Sequence, residues 1–263
     1  MTQTLPAPLD VRLMNLTANL LLLGFVGLAL AAGGRWVAYH PFFAIRGMTV
    51  MGDVSHVSSV GVRAQVAPRI QGTFLTIDLR SVRQAFETLP WVRRAVVQRE
   101  FPNRLRVILQ EHQPVAYWGE EGDSTLVNSY GEVFETNLGE VDQDALPRLD
   151  GPDEQSAVVL AMYRALRPLF EGASLSLQGL TLSDRGNWQA DLAGGAHMEL
   201  GNGEVAPVSA RLQQFLGTVA QVAAHHGRQV DALESADLRY ASGYALRLRG
   251  VTTVAQGSAP ARN

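Results

Sequence analysis

Residues 89–111, LPWVRRAVVQREFPNRLRVILQE, decide the fold of the first half of the chain. Two segments within them, Val92–Glu100 and Arg104–Glu111, have the composition of strands, and the three residues between the segments form a turn. Leu105, Val107 and Leu109 occupy every second position of the second segment. This alternation predicts an antiparallel strand with one buried face.

One strand and a short helix are predicted at the amino-terminal side of this core. Residues 43–52 alternate apolar and polar positions, which is typical of a strand. Ser58 or Ser59 can accept the N-cap hydrogen bond of a short helix over residues 60–66.

A second helix is predicted over residues 79–89. Asp78 is a favourable N-cap residue, and Pro90 ends the helix because proline lacks the backbone N–H. Apolar side chains recur at three- and four-residue steps and form one buried stripe. They are Leu79, Val82, Phe86 and Leu89. The order β-α-α-β-β therefore predicts a three-stranded sheet with two helices on one face.

A single transmembrane helix is predicted over residues 13–34, LMNLTANLLLLGFVGLALAAGG. The stretch contains no charged residue and is apolar on every side. At 1.5 Å per residue, about 20 such residues span roughly 30 Å, the thickness of the hydrocarbon core of a bilayer. Trp36 and Tyr39 follow it, where amphipathic rings favour the headgroup region.

Two questions remain open for this segment, which are whether it is cleaved as a signal peptide and in which direction it crosses the membrane. Residues 29–31 have the small-x-small pattern of a signal-peptide cleavage site, but the apolar run 16–32 is longer than a typical signal-peptide core, which favours an uncleaved anchor. Arg12 precedes the helix, whereas Arg35 and Arg46 follow it. This charge distribution does not favour a cytoplasmic amino terminus, although long domains translocate largely regardless of charge.

The second half of the chain predicts a larger, mostly antiparallel β domain with two helices. The expected strands are 115–118, 125–128, 132–136, 175–182, 188–192, 198–200, 236–240 and 244–248. The expected helices are 156–170 and 207–224, and a polar loop is expected over 142–152. The chain beyond residue 251 is small and polar, and we expect a disordered tail over 251–263.

Composition and motifs argue against several classes of function. The 263 residues include no cysteine, so disulfides, thiolate metal sites and a cysteine nucleophile are excluded, and the net charge of −3 argues against nucleic-acid binding. The sequence has no Gly-x-Ser-x-Gly elbow, His-Glu-x-x-His helix or Walker loop. The adjacent His225 and His226 lack evident partner ligands. We therefore expect no catalytic, cofactor or metal site.

The segment LPWVRRAVVQREFPNRLRVILQEHQPVAYW, residues 89–118, resembles the POTRA domain of the bacterial FtsQ/DivIB family of cell-division proteins. The shared pattern is Pro-Trp-Val, Ala-x-Val-x-Arg, aromatic-Pro, Leu-x-Val and Glu-x-x-Pro-x-Ala-x-Trp. The matching residues are Pro90, Trp91, Val92, Ala95, Val97, Arg99, Phe101, Pro102, Leu105, Val107, Glu111, Pro114, Ala116 and Trp118. The later piece LVNSYGEVF also matches the family.

The resemblance implies a domain order and a location. Residues 1–12 would be a cytoplasmic tail, residues 43–112 the POTRA domain, and residues 113–250 an FtsQ-type β domain. The family is anchored once in the bacterial inner membrane, with its bulk in the periplasm at the division septum. It links early and late division proteins without catalysis, through an FtsB/FtsL complex and through other partners of the POTRA domain.

The last strand is the predicted partner site. Without the resemblance, DLRYASGYALRLRG (237–250) is most simply a closing hairpin, although a last strand often leaves a free sheet edge. The family pattern Asp-x-Arg-Tyr-x-Ser-Gly introduces the strand on which FtsB docks. The expected partner-binding residues are Arg239, Tyr240, Ser242, Gly243, Tyr244, Leu246, Arg247 and Leu248.

Two alternatives belong to other functional classes. A membrane-anchored periplasmic enzyme that binds or cleaves cell-wall glycan would use Trp118, Trp188 and paired carboxylates. The candidate carboxylates are Asp184, Asp191, Glu199 and Glu204. A POTRA chaperone for outer-membrane proteins would usually carry a downstream barrel, which the helices after residue 150 do not suit.

Overall fold

The computed structural model contains two compact units, divided between Glu111 and His112. Residues 9–52, 54–137, 139, 146–240 and 243–251 are described. The first unit holds an amino-terminal helix and a three-stranded sheet, and the second holds a nine-stranded sheet. The predicted α+β class, with one apolar helix, a small POTRA-type domain and a larger sheet domain, is confirmed.

The amino-terminal helix α1 (Leu9–Ala38) is longer than the predicted span of residues 13–34. Asp10 lies in its first turn and Arg35 in its last turn, where each charge interacts favourably with the helix dipole. The helix is long and apolar enough to cross a membrane, and the described residues bury none of its most apolar window. The predicted span ends where the apolar run ends, whereas the helix continues into the polar residues on both sides.

The first unit has the predicted order of strands and helices. Its elements are β1 (Gly47–Gly52), α2 (Ser59–Gln65), α3 (Leu79–Glu87), β2 (Val92–Glu100) and β3 (Arg104–Glu111). β3 lies in the centre of the sheet, parallel to β1 and antiparallel to β2. The first strand begins four residues later than expected, because Pro41–Phe43 form a 3₁₀ turn that His40 caps.

Both predicted helix caps are present. Ser58 Oγ accepts a hydrogen bond from Gly61 N at 3.0 Å, and Asp78 Oδ1 accepts one from Arg80 N at 2.9 Å. These side chains satisfy backbone donors that have no partner in the first turn of a helix. The helices α2 and α3 are thereby fixed at their amino ends and bury Val62, Val82 and Phe86.

A buried carboxylate closes the end of β3. Glu111 is 3% exposed and accepts hydrogen bonds from His56 N at 3.0 Å and Val57 N at 2.9 Å. The His56 ring lies 3.1 Å from the same carboxylate and stacks on Trp91 at 3.9 Å between centroids. Glu111 therefore holds the loop before α2 against the central strand.

The described residues of the second unit contain one nine-stranded sheet. Its strands are β4 (Pro114–Trp118), β5 (Thr125–Asn128), β6 (Val133–Glu135), β7 (Arg148–Asp150), β8 (Leu177–Leu182), β9 (Asn187–Leu192), β10 (Ala196–Asn202), β11 (Leu233–Asp237) and β12 (Ala245–Leu248). The order across the sheet is β12-β11-β10-β9-β8-β7-β4-β5-β6. Five of its eight strand pairs are antiparallel, so the expected mostly antiparallel arrangement is confirmed.

The strand β7 was not expected, because residues 142–152 were predicted to form a loop. It is only three residues long and lies parallel to both β4 and β8. Leu149 is its one fully buried side chain, between Pro147 and Gly151 in a stretch rich in turn residues. A strand of three residues is too short to show an alternation of apolar and polar positions. Its conformation is determined by pairing with the neighbouring strands of the sheet.

Two helices cover this sheet. α4 (Ser156–Gly172) packs on β7 and β8, and α5 (Val205–His225) packs on β10. The two helices also contact each other and form one core with the sheet. Their innermost side chains are Val159, Leu166, Phe170, Leu212, Phe215 and Val219.

We predict that Glu111→Ala destabilises the first unit by about 3 kcal/mol, because two buried backbone N–H groups lose their acceptor. Local opening free energies are measured by hydrogen exchange in peptides from residues 43–111 of the full-length protein. The control is Glu100→Ala, which removes a half-exposed ion pair with Arg106 and costs less than about 1 kcal/mol. Equal losses in the two variants would contradict the structural role of Glu111.

Candidate partner-binding edge

The strand β12 forms one edge of the nine-stranded sheet. It pairs antiparallel with β11, with Ala236 opposite Leu246 and Asp237 opposite Ala245. Within the described ranges, no strand lies on its other side. A sheet edge of this kind carries backbone N–H and C=O groups that can pair with an added strand.

The register identifies which backbone groups point outward. Arg249 N donates to Ala232 O at 2.8 Å, so this amide faces β11. Alternate residues of a strand direct their backbone groups to opposite sides. Arg247 therefore shares the inner side with Arg249, while Leu246 and Leu248 direct their N–H and C=O groups toward the open side.

Three of the expected partner-binding side chains anchor the edge strand to the core. Leu248 is 3% exposed, and Leu246 is half-buried against the same core. The Tyr244 hydroxyl lies 2.8 Å from Thr218 Oγ1, and its ring meets the Phe215 ring edge-on with centroids 4.9 Å apart. These side chains hold β12 in place and leave its backbone as the outward feature.

Arg239 and Asp237 form a two-point ion pair just after β11. Arg239 Nε donates to Asp237 Oδ1 at 2.9 Å, and Nη2 donates to Oδ2 at 2.7 Å. Hydrogen bonds from the guanidinium lower the pKa of Asp237, and the carboxylate raises the pKa of Arg239. The pair fixes the turn through which the chain leaves β11, which matches the Asp-x-Arg part of the motif.

The remaining expected residues differ in exposure. Tyr240 is 59% exposed, and Gly243 is exposed next to the start of β12. Arg247 is also exposed, and its Nε lies 3.3 Å from Glu234 Oε2. Ser242 lies outside the described residues. The Tyr240 ring and the Arg247 guanidinium are thus both exposed beside the backbone of this edge.

Two of the candidate carboxylates, Asp191 on β9 and Glu199 on β10, lie beside His197, which the sequence did not single out. His197 Nδ1 lies 2.8 Å from Asp191 Oδ1, and Nε2 lies 3.4 Å from Glu199 Oε1. Burial lowers the pKa of His197, but the two carboxylates outweigh it and raise the pKa above the ordinary value. His197 and Glu199 are two positions apart on β10 and so share a face, but only the pairing of β9 with β10 places Asp191 opposite His197.

The features of the glycan alternative do not form a sugar platform. Trp118 and Trp188 are 3% and 2% exposed, so neither ring face is available for stacking. Trp118 Nε1 donates to Asp153 Oδ1 at 3.0 Å, and Trp188 Nε1 donates to Gly203 O at 2.9 Å. Both side chains therefore serve the packing of the domain.

Comparison with known proteins agrees with both units. Residues 43–112 match the model of the FtsQ-type POTRA domain, and residues 116–239 match the model of the C-terminal region of cell division protein FtsQ/DivIB. The chain belongs to the FtsQ/DivIB family of cell division proteins. The second match ends at residue 239, so β12 lies beyond it.

Individual relatives match over nearly their whole length. The chain is 41% identical to cell division protein FtsQ of Thiomonas arsenitoxydans, over 93% of this chain and 89% of that protein. It is 38% identical to FtsQ of Burkholderia pseudomallei, over 92% and 94% of the two chains, and 36% identical to FtsQ of Bordetella pertussis, over 91% and 92%. The resemblance inferred from residues 89–118 is confirmed.

We predict that the stabilising effect of His197 decreases as the pH rises. Because its folded pKa is raised, protonated His197 stabilises the sheet fully below its ordinary pKa of about 6.5 and loses this effect as the pH passes the raised value. The free energies of unfolding of wild type and His197→Gln are measured in urea at about pH 5.5 and about pH 8.5. The difference between the two proteins should be larger at the lower pH, by up to roughly 1 kcal/mol.

The matched control for this measurement is His226→Gln, since His226 makes no ion pair within the described part of the chain. The loss of unfolding free energy caused by His226→Gln should not follow the pH dependence of the loss caused by His197→Gln. A pH-independent difference between wild type and His197→Gln would show that the two carboxylates do not hold the imidazolium.

Proposed function

We propose that this protein is a non-catalytic, single-pass scaffold of the bacterial divisome that binds an FtsB/FtsL complex through β12. The observation that carries the proposal is the edge position of β12, with Leu246 and Leu248 packed inward and its backbone open. Family membership supports a role in cell division. Main-chain pairing would supply affinity, and exposed side chains would supply specificity.

The proposed topology places the amino terminus in the cytoplasm and the bulk of the chain in the periplasm, at the septum. Residues 13–34 would cross the inner membrane, with residues 1–12 as the cytoplasmic tail. Support comes from the apolar length of α1 and from the size of the domains that follow it. The charge distribution around the helix does not supply this orientation. The tail expected over 251–263 falls outside the described residues from 252 onward.

The two units would serve different partners. The POTRA unit, proposed as residues 43–112, would recruit other division proteins through the edges of its sheet, since β3 is the one strand that pairs with β1 and with β2 in the described part of the chain. The β domain, proposed as residues 113–250, would carry the FtsB site. The proposed contacts are Arg239, Tyr240, Ser242, Gly243, Tyr244, Leu246, Arg247 and Leu248, with Tyr244, Leu246 and Leu248 acting through their backbone.

We predict that Leu246→Pro weakens binding of the FtsB/FtsL complex at least about tenfold, because proline removes an outward N–H that would pair with the partner. Leu246→Val keeps the N–H and a similar apolar volume, so its affinity should remain near that of wild type. Affinity is measured on the full-length protein in detergent, with the division proteins of the same bacterium. Unchanged affinity in a folded Leu246→Pro protein would refute docking by strand addition.

A charge reversal tests the specificity contributed by side chains. Arg247→Glu should slow association with an acidic partner segment severalfold and reduce the salt dependence of the rate. The matched control is Arg167→Glu, since Arg167 on α4 is also exposed to solvent and also pairs with a glutamate, Glu171. Equal effects of the two reversals would assign the change to net charge alone.

A further inference from the structure

The carboxyl end of α1 is tied directly to the POTRA unit. Thr73 Oγ1 donates to Ala38 O at 2.6 Å, and Ala44 forms a β-bridge with Thr73. Phe74 N donates to Phe43 O at 2.7 Å. The turn before α3 therefore lies beside the last turn of the helix, and the helix and the domain are joined by more than the covalent chain.

The turn between β2 and β3 lies at this same end of the domain. Arg46 N donates to Asn103 O at 3.0 Å, and Arg99 Nε donates to Phe74 O at 2.7 Å. The Phe74 and Phe101 rings meet edge-on, with centroids 6.3 Å apart. Each of these contacts places the tip of the β2–β3 turn next to the segments that hold the end of α1.

Large apolar side chains are exposed around this junction. Phe101 is 77% exposed, and Phe42 and Leu75 are 58% and 47% exposed. Trp36 and Tyr39 on the last turns of α1 are also exposed. We call Trp36, Tyr39, Phe42, Leu75 and Phe101 the interfacial collar. A soluble domain rarely leaves so many large apolar side chains together in water.

Guanidinium groups accompany the collar. Arg46 and Arg104 are exposed and lie at the same end of the sheet, where Gly47 is opposite Arg104. Neither forms an ion pair with another described residue. Arg35 lies over the Tyr39 ring, with Cζ 4.7 Å from the centroid. Aromatic rings beside arginines are the composition that lipid headgroups favour next to a membrane-spanning helix.

We propose that the interfacial collar is a second membrane contact, in which the POTRA unit inserts Phe101, Phe42 and Leu75 into the headgroup–acyl boundary of the bilayer that holds α1. The inference rests on the proposed membrane anchoring of α1. The interfacial collar is continuous with α1. We therefore assign it a lipid contact in preference to a protein partner. The contact fixes the orientation of the POTRA unit on the membrane surface.

The test uses spin labels at single cysteines, because the chain contains no cysteine of its own. Phe101→Cys reports on the collar. Val54→Cys is the aqueous control, since Val54 is exposed and lies two residues past the opposite end of β1. Leu23→Cys reports on the middle of α1. Full-length protein is placed in nanodiscs of phosphatidylethanolamine and phosphatidylglycerol, and label collisions with oxygen and with a water-soluble nickel chelate are measured.

The expected oxygen-to-nickel collision ratio at residue 101 is severalfold higher than at residue 54 and lower than at residue 23. A ratio at 101 equal to that at 54, with residue 23 in lipid, would overturn the collar and leave the anchor intact. An aqueous reading at residue 23 would overturn the anchor and the collar together. Low collision rates with both reagents at 101 would indicate contact with a second copy and would also reject the lipid contact.

Discussion

The structure depends on one solvation constraint, which is that the protein provides no cover for the leucines of α1. The helix has thirty residues, and its most apolar window is not buried by the rest of the described chain. Each exposed methylene would cost about 0.8 kcal/mol in water, so only a bilayer or an equivalent apolar medium makes the segment stable. Under the proposed anchoring, everything after Ala38 would be a body tethered at one entry point.

Side chains and backbone have separate roles at the far end of the chain. Leu248, Leu246 and Tyr244 are held by the core of the second unit, and this leaves a strand whose rim is already ordered. Because β12 is already ordered, it would itself lose little conformational entropy if a partner strand paired with it, as we propose. The ion pair of Arg239 and Asp237 orders the turn before the strand in the same way.

The family motif is explained by structural contacts and contains no reactive group. Glu111 accepts from two backbone amides, Arg99 donates to the carbonyl groups of Phe74 and Ile77, and Trp118 bonds to Asp153. Phe101 differs from the other aromatic residues of the motif, since it is 77% exposed whereas Trp91 and Trp118 are buried. A residue pattern can therefore identify a fold precisely while saying little about which of its positions face outward.

Sequence reasoning succeeded where a local signal was strong. The apolar run, the alternating strand Arg104–Glu111 and the caps Ser58 and Asp78 each carry their information within a few residues. It failed at β7, where neighbouring strands determine a three-residue segment.

Long-range pairing hid two features of the candidate site. The inward anchoring of Tyr244 depends on α5, and the contact of His197 with Asp191 depends on strand register. The contacts of Tyr244, Phe215 and Thr218, are far from it in sequence. His197 and Asp191 are closer in sequence, but only the register of the β9–β10 pair places them opposite each other.

The parallel pairing of β1 with β3 has a mechanical consequence. The chain enters β1 from the side of α1 and leaves the unit at the carboxyl end of β3, and the two strands are in register over six residue pairs. A pull between α1 and the second unit would therefore drag these strands in opposite directions along their length. Such shear loads all the ladder hydrogen bonds together and does not open them one after another, so the POTRA unit can bear tension without unfolding from one end.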